Sequence, residues 1–314
     1  MKNLTLTAAR RGATAQRIAL QRIALLAAMP ALWASLAQAA ERSVDEARAA
    51  SANGVVDISN VAGSVQVRGW DKAELRVTGT IGGKVERVEV AANGDHSTVK
   101  VVLPALSVGG NGSADLLVQV PMNSAVNVTL VSADLALTGV NGDLNLRTIS
   151  GNIEGDVGAN ANVNSVSGDI TVAARGMHRN YELKSISGDI KATGLGNNVS
   201  VSTVSGDAEL TLGTVSRAQL ESVSGNVMVA TQLDSGGSLA AESVSGDLTL
   251  NFVASAPSAN IDVETLSGDI SNCFGPKPVS PERGPGSHLS FTSGDGKGRI
   301  HAESKSGSVH LCTK

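Results

Sequence analysis

The side chains best placed to do chemistry in this sequence are aspartates that recur in Ser-Gly-Asp triplets. Five occupy equivalent positions of a repeat: Asp169, Asp189, Asp207, Asp247 and Asp269. If the repeats stack ~4.8 Å apart, neighbouring carboxylates repel by ~1 kcal/mol in water and by ~3.5 kcal/mol at an effective dielectric near 20. Such a column needs partners, and two kinds are available: Ca²⁺ ions, which bind carboxylate oxygens, or backbone N–H groups of the turns.

Variation within the column favours hydrogen bonding over metal binding. Asn152, Asn226 and Ser308 replace the aspartate in three repeats. Asparagine and serine preserve the hydrogen bonds of a turn but remove anionic ligands. The glycine pattern of calcium-binding nonapeptide repeats is also absent from the sequence. We therefore expect each aspartate to accept N–H bonds from its own turn, with no metal and no cofactor; a calcium-stabilised binding module is the alternative.

Arrangements for catalysis are poorly represented. A serine hydrolase needs a serine, a histidine and an acid brought together, and no histidine lies near a Gly-x-Ser-x-Gly elbow. The histidines are His96, His178, His288, His301 and His310. Ser-Gly-Asp recurs too often to mark one active serine, and the spacing of His301, His310 and Cys312 does not predict a metal site. Aromatic residues, which form sugar-binding platforms, make up 2% of the chain. We predict no enzymatic activity, with a polysaccharide-acting β-helix enzyme as the alternative.

The elements that position these residues follow from the period of the repeat. The glycines of the repeat are Gly151, Gly168, Gly188, Gly206, Gly225, Gly246, Gly268 and Gly307. From Gly151 to Gly268 they are separated by 17, 20, 18, 19, 21 and 22 residues. Apolar residues stand seven, five and two positions before each glycine and two and four positions after it. A period of two on both sides predicts two strands, and the change of phase before the glycine predicts a bulge or corner.

A unit of two short strands cannot enclose a core alone, whereas stacked units bury their aliphatic rows against each other. The sequence therefore predicts an all-β protein: a parallel β-solenoid with coils of ~19 residues, right-handed because parallel crossovers nearly always are. Between residues 130 and 311 we count about nine or ten coils, which gives a rod ~45 Å long. The low aromatic content fits a narrow cross-section.

Further segments match the pattern of a known family. They are Gly54 to Val67, Gly69 to Asp71, Val118 to Pro121, Val126 to Val128, Val131 to Asp134 and Gly139 to Asp143. Together with the repeats, they resemble the bacterial putative adhesin family, domains of unknown function also described as auto-transporter adhesin head-like. The resemblance covers nearly all of residues 53–313 and implies a Ser-Gly-Asp β-solenoid, but it brings no catalytic or binding residues. Ala133 stands where the family has glycine, so we expect a looser first corner.

The chain divides into four segments. Residues 1–39 read as a secretory signal peptide, with a basic start, an apolar run and the small-residue site Ala37-Gln38-Ala39. We expect a flexible linker at 40–53, a capping β-region at 54–129 and the repeat solenoid at 130–313, with a Pro/Gly-rich excursion at 274–299. The leader holds five of the 25 basic residues and no acid, which leaves 20 basic against 29 acidic groups. That balance argues against nucleic acid as a partner.

The two cysteines occupy equivalent positions. Cys273 and Cys312 both lie five residues after the glycine of their unit, Gly268 and Gly307. If these coils are direct neighbours, the Cα atoms are ~5 Å apart and a disulfide is geometrically allowed. We expect this disulfide to close the C-terminal end, with residues 274–299 looping out.

These observations predict an exported protein of the periplasm, cell surface or medium, with no transmembrane segment after removal of the signal. We expect a non-enzymatic β-solenoid with an adhesin-like or envelope-associated role, whose partner is a protein or glycan of the cell envelope.

Overall fold

The structure, a computed structural model, describes residues 41–104, 112–175, 179–279 and 285–314. The predicted signal peptide therefore lies outside the described residues. The described residues form 22 strands and no helix. The strands are β1 Arg42–Ala49, β2 Val55–Trp70, β3 Glu74–Ile81, β4 Arg87–Asn93, β5 His96–Val102, β6 Ala114–Pro121, β7 Ala125–Thr138, β8 Leu144–Thr148, β9 Ile153–Val157, β10 Ala161–Ser165, β11 Ile170–Ala174, β12 Arg179–Ser185, β13 Ile190–Thr193, β14 Asn197–Thr203, β15 Ala208–Ser224, β16 Val227–Ser245, β17 Leu248–Phe252, β18 Ala259–Thr265, β19 Ile270–Asn272, β20 Ser287–Ser293, β21 Gly298–Ser304 and β22 Val309–Thr313.

The strands form two parallel ladders joined at the Ser-Gly-Asp corners. The upstream ladder, which precedes the corners, runs β2, β7, β8, β10, β12, β14, β15, β16, β21, β18. The downstream ladder, which follows them, runs β2, β7, β9, β11, β13, β15, β16, β17, β22, β19. The longest strands, such as β15 and β16, contribute to both ladders. This architecture confirms the predicted parallel β-solenoid.

The core consists of inward aliphatic rows that stack in register from coil to coil. In the upstream ladder Val163 pairs with Leu183, and Leu183 with Val201; in the downstream ladder Ile170 pairs with Ile190. All five side chains are buried. Among the described residues, the aromatic side chains of Tyr181 and Phe252 are also buried in this interior.

The coils do not stack in the order of the sequence at the C-terminal end. The last coil, β21 and β22, lies between the coil of β16 and β17 and the coil of β18 and β19. The strand that completes the upstream ladder is β20, which pairs antiparallel with β18. The excursion expected at 274–299 is thus only partly a loop, because residues 287–293 cover the exposed edge of β18.

Antiparallel strands also cover the N-terminal end. There β5 and β6 pair with the two halves of β2, β4 pairs antiparallel with β5, and β3 pairs antiparallel with β6. Strand β1 pairs antiparallel with β3 over eight residues, so the segment expected as a flexible linker at 40–53 is largely a strand. Such pairing protects sheet edges that would otherwise template association.

Candidate interaction surface

The glycines of the repeat stand in a single column at the corners. A Cβ atom added to Gly168 would lie 1.9 Å from the carbonyl oxygen of Gly151, and one added to Gly188 would lie 2.2 Å from that of Gly168. The same approach recurs in each coil, in the spatial order Gly151, Gly168, Gly188, Gly206, Gly225, Gly246, Gly307 and Gly268. Only a residue without a side chain allows the coils to come this close at the corner. The Ala133 corner lies within the unbroken strand β7, and Ala133 is fully buried.

The residues after the glycines form what we term the Asx ladder. Its members, in spatial order, are Asp134, Asn152, Asp169, Asp189, Asp207, Asn226, Asp247, Ser308 and Asp269. Each side-chain oxygen accepts a hydrogen bond from the backbone N–H of the next member: the Asp189 N–H, for example, lies 2.9 Å from Asp169 Oδ1. The N–H therefore comes from the neighbouring coil, not from the residue's own turn as we expected.

The Asx ladder explains why aspartate, asparagine and serine interchange. Each supplies one oxygen acceptor to the next coil, from Asp207 Oδ1 to the Asn226 N–H at 2.7 Å and from Asn226 Oδ1 to the Asp247 N–H at 3.1 Å. Bonds to an ionised acceptor are the stronger ones. The ladder therefore joins neighbouring coils along the whole row of corners. Its aspartate, asparagine and serine side chains take part in hydrogen bonds to the backbone of the fold.

A row of buried hydroxyls lies three residues before the glycines. Its members are Thr148, Ser165, Ser185, Thr203, Ser222, Ser243, Ser304 and Thr265. Ser165 Oγ accepts the Gly168 N–H at 2.9 Å and donates to the Gly168 carbonyl at 2.6 Å. Seven of these hydroxyls bond corner backbone groups that face the interior, whereas the Ser243 hydroxyl is buried without a hydrogen-bond partner among the described residues. In the sequence, the restriction of this position to serine and threonine is the signal from which the row could have been found.

The aliphatic residues two positions before the glycines point outward, so their predicted place in the core is wrong. The row, which we term the aliphatic row, consists of Val131, Ile149, Val166, Ile186, Val204, Val223, Val244 and Leu266. Their exposed fractions range from 38% at Val131 to 60% at Leu266. The cause is the hydroxyl row, because the neighbouring position one residue upstream already points inward. Lys305 occupies the equivalent site in the coil of β21.

A second outward row, four residues before the glycines, carries a division of charge. This charged row consists of Arg147, Lys184, Glu221, Glu242, Glu303 and Glu264, in spatial order. Its two basic members precede its four acidic members along the solenoid. Between the charged row and the aliphatic row lie three consecutive depressions, which we term the corner groove. Adjacent depressions share Val204 or Lys305, so the groove is continuous.

One cluster in the described residues has the donors that a metal ion needs. His288 Nε2 lies 3.0 Å from Asp262 Oδ1 and 3.8 Å from Glu264 Oε1, and His301 Nδ1 lies 3.4 Å from Asp262 Oδ2. Imidazole and carboxylate donors suit zinc and related ions. The groups are half exposed and already bonded to each other, so ion pairing alone accounts for the cluster.

Other histidines form isolated surface pairs. His96 Nε2 lies 2.7 Å from Asp57, and His310 Nδ1 lies 2.7 Å from Ser271 Oγ. The Ser271–His310 pair has no carboxylate bonded to the imidazole among the described residues, so the acid that orients a catalytic histidine is missing there. His178 lies outside the described residues. Burial raises the pKa of Tyr181, whose side chain belongs to the core.

The cysteines meet at the junction of the inserted coil. Strand β19 is the direct neighbour of β22, and Cys273 and Cys312 form a disulfide with Cα atoms 4.8 Å apart. Phe274 follows the first cysteine and makes edge contacts with Phe252 and Phe291. The disulfide therefore joins two adjacent coils beside a small aromatic cluster. It links the terminal coil of the stack, which contains β19, to the neighbouring coil, which contains β22, as expected for direct neighbours.

Residues 55–312 match the family model described as Toastrack DUF4097. The chain belongs to this family. The match spans both ladders and the N-terminal strands from β2 onward, which confirms the resemblance to an adhesin-like domain of unknown function. Within the described part of the Toastrack chain, no helix is long and apolar enough to cross a membrane. No curated protein matches the chain at a significant level.

The chain is similar to several solved structures at low identity. A putative lipid binding protein from Parabacteroides distasonis is 16% identical, with a TM-score of 0.52 over 85% of this chain and 96% of the other. A putative adhesin from Bacteroides fragilis is 14% identical, with a TM-score of 0.46 over 88% and 99%. A putative cell adhesion protein from Clostridium sporogenes is 10% identical, with a TM-score of 0.30 over 87% and 100%. The likeness to the first concerns the fold.

Proposed function

We propose that this Toastrack protein is an exported, non-enzymatic interaction protein of the cell envelope, and that the corner groove is its binding surface. The aliphatic row carries this proposal. Scattered exposed aliphatic residues are ordinary on a soluble protein, but contiguous apolar patches mark interaction sites. Here eight aliphatic side chains stand in one line, each at the same corner position of its coil.

The composition of the groove favours a protein as the partner. One wall is aliphatic and the other carries both basic and acidic groups, as at protein–protein contacts with an apolar centre and a polar rim. Sugar-binding clefts use aromatic platforms, and the groove is lined by none.

Two features support export and a non-enzymatic role. The sequence of residues 1–39 has the pattern of a secretory leader, and the disulfide Cys273–Cys312 suits an oxidising compartment. The serines and acids of the corners, which recur in every coil, are bonded into the backbone network. A catalytic serine would instead stand beside a histidine and an orienting acid.

Photo-crosslinking in intact cells tests the proposal. A photoreactive amino acid replaces Ile186, Val223 or Leu266 in the groove, and Met228 serves as the control because it is 48% exposed on the outer side of β16. We expect adducts of higher mass from the three groove positions. Equal adduct yields at Met228, or none at the groove positions, would overturn the proposal.

Lipid binding is a second candidate, because the aliphatic row also suits acyl chains. The solved relative from Parabacteroides distasonis is described as a putative lipid binding protein. Flotation of the mature protein with zwitterionic phosphatidylcholine vesicles separates the two functions. If the groove binds protein, the mature chain stays at the bottom of the gradient; co-flotation that Val204→Asp abolishes would replace our proposal with lipid binding.

A further inference from the structure

We infer that the corner groove binds a second copy of this chain, which lies antiparallel along the first. This inference rests on the proposed function, since it names the partner of the same groove. Three properties of the groove support it: the order of its charges, the symmetry of its aliphatic row and its area.

The order of charges is self-complementary about a point in the middle of the groove. Along the solenoid, the nine positions four residues before the corner are Thr129, Arg147, Asn164, Lys184, Ser202, Glu221, Glu242, Glu303 and Glu264. A two-fold axis through the Ser202 coil places Arg147 opposite Glu303 of the second copy and Lys184 opposite Glu221 of the second copy. Each pair occurs twice, as the symmetry of such a dimer requires.

A parallel arrangement of the two copies is disfavoured by the same row. If the two charged rows faced each other in a parallel pair, four glutamates would face four glutamates, and like charges in register repel. If the charged row of each copy instead faced the aliphatic row of the other, its charges would be buried without partners, which is also unfavourable. The antiparallel arrangement alone brings the basic half of each copy to the acidic half of the other.

The aliphatic row follows the same symmetry. With Val204 on the axis, Ile186 faces Val223 of the second copy, and Val166 faces Val244. The outermost pair is Val131 with Leu266, and Ile149 faces Lys305, whose apolar stem can cover it. Three of the four symmetric pairs are therefore aliphatic on both sides.

Several charged groups of the row have no partner within one chain. In the described part of the chain, the side chains of Arg147, Glu242 and Glu303 form no hydrogen bond or ion pair. Lys184 contacts Glu182, and Glu221 accepts a hydrogen bond from Gln219 at 2.7 Å. Groups on both halves of the row are therefore available to a second copy.

The area of the groove predicts a weak dimer. Nine coils at ~4.8 Å span ~40 Å, and a contact ~15 Å wide buries on the order of 600 Å² per copy. The total of ~1,200 Å² lies at the lower limit of specific interfaces. We expect dissociation in the micromolar range.

Sedimentation velocity of the mature protein measures this association directly, in a series from about 1 to about 100 µM. We expect a concentration-dependent shift from monomer to dimer. Arg147→Glu with Lys184→Glu should weaken the association by about tenfold or more, because both attractive pairs become repulsive on each side of the axis. Glu221→Lys with Glu303→Lys should do the same. Lys191→Glu with Arg217→Glu, two exposed changes outside the two rows, should leave the association unaltered.

Mixing the two groove variants is the decisive step. In the mixed dimer the introduced carboxylates of one chain face the introduced ammonium groups of the other, so association should return to the level of the unaltered protein. Thermal melts by circular dichroism check that each variant is folded. A monomer at all concentrations, groove variants that associate normally, or mixing that restores nothing would each overturn the inference.

Failure of the inference is distinguishable from failure of the proposed function. If the mature protein is monomeric but Ile186 and Leu266 crosslink to a different protein in cells, the groove is an interaction surface and the second copy is not its partner. If those positions yield no adduct and no dimer forms, both proposals fail.

Discussion

Replacement of Gly188 by alanine tests the closeness of the coils at the corner. The new Cβ would lie 2.2 Å from the carbonyl oxygen of Gly168, whereas real Cβ contacts essentially never fall under 3.0 Å. Since the obstacle is backbone, the two coils must separate by about 0.8 Å at this point, the difference between those distances.

That separation breaks hydrogen bonds which hold the two coils together. The Asp189 N–H bonds Asp169 Oδ1 at 2.9 Å, the Ser187 N–H bonds the Val166 carbonyl at 2.9 Å, and the Ile170 N–H bonds the Asp189 carbonyl at 2.9 Å. A bond lengthened to about 3.7 Å no longer counts as one. At ~1 kcal/mol for each of three bonds, we expect Gly188→Ala to lower the free energy of unfolding by ~3 kcal/mol.

Urea denaturation of the mature protein, followed by circular dichroism, gives this free energy. Gly213→Ala is the matched control, because a Cβ there meets its nearest atom at 3.7 Å, an ordinary van der Waals contact. We expect that change to alter stability by less than ~0.5 kcal/mol. If Gly188→Ala unfolds at the same urea concentration as Gly213→Ala, the argument from the glycine column is wrong.

Three further predictions follow from the corners and the C-terminal end. Ser185→Ala leaves the Gly188 N–H without its acceptor at 2.9 Å and should cost ~1–2 kcal/mol in urea denaturation, whereas the more exposed Ser202→Ala should cost less. Cys273→Ser with Cys312→Ser opens a link across 39 residues, and loop-closure entropy predicts a loss of up to ~4 kcal/mol, measured against the oxidised protein in the same assay. A hydrogen bond from Lys297, joined by one from Ser258, lowers the pKa of Asp295 to about 2; contributions of this carboxylate to stability are therefore present at neutral pH and are lost as the pH falls through about 2. An NMR titration should show that midpoint, and Lys297→Met should raise it; a midpoint unaffected by Lys297→Met would refute the assignment.

The sequence predicts the stack because each coil repeats the same local constraint. Gly168 and Gly188 recur with the same neighbours, and aliphatic residues at a period of two define the inward rows. Those features depend on distances of a few residues along the chain, which a single sequence displays. The interchange of Asp169 and Asn152 likewise indicated hydrogen bonding, although the donor proved to be the next coil.

The orientation of the aliphatic row could not be read in the same way. Ile186 and Val204 are apolar, and hydrophobicity alone predicts that they are buried. The corner instead turns Ser185 and Thr203 inward. There the Ser185 hydroxyl accepts a hydrogen bond from a corner N–H, and the Thr203 hydroxyl donates one to a corner carbonyl. Because these residues point inward, Ile186 and Val204 point outward. A requirement of the backbone overrides side-chain polarity at this position, and only the arrangement of the corner reveals it.

The repeat pattern also does not predict the order in which the final coils stack. The coil of β18 and the coil of β21 carry equivalent inward rows, so either can stack on β16. Both orders satisfy the repeat, and the choice depends on the connection through β20 and on packing that no periodicity encodes.

The position of the coil of β21 and β22 constrains the order in which the coils can assemble. Residues 298–313 follow both neighbouring coils in the chain, yet they occupy the layer between them. The stack therefore cannot be finished by adding layers from one end to the other; an opening must be kept, or made, for the final segment. A chain that stops before Gly298 would lose the layer that joins its terminal coil to the rest, and the Cys273–Cys312 bond fixes that layer once it is seated.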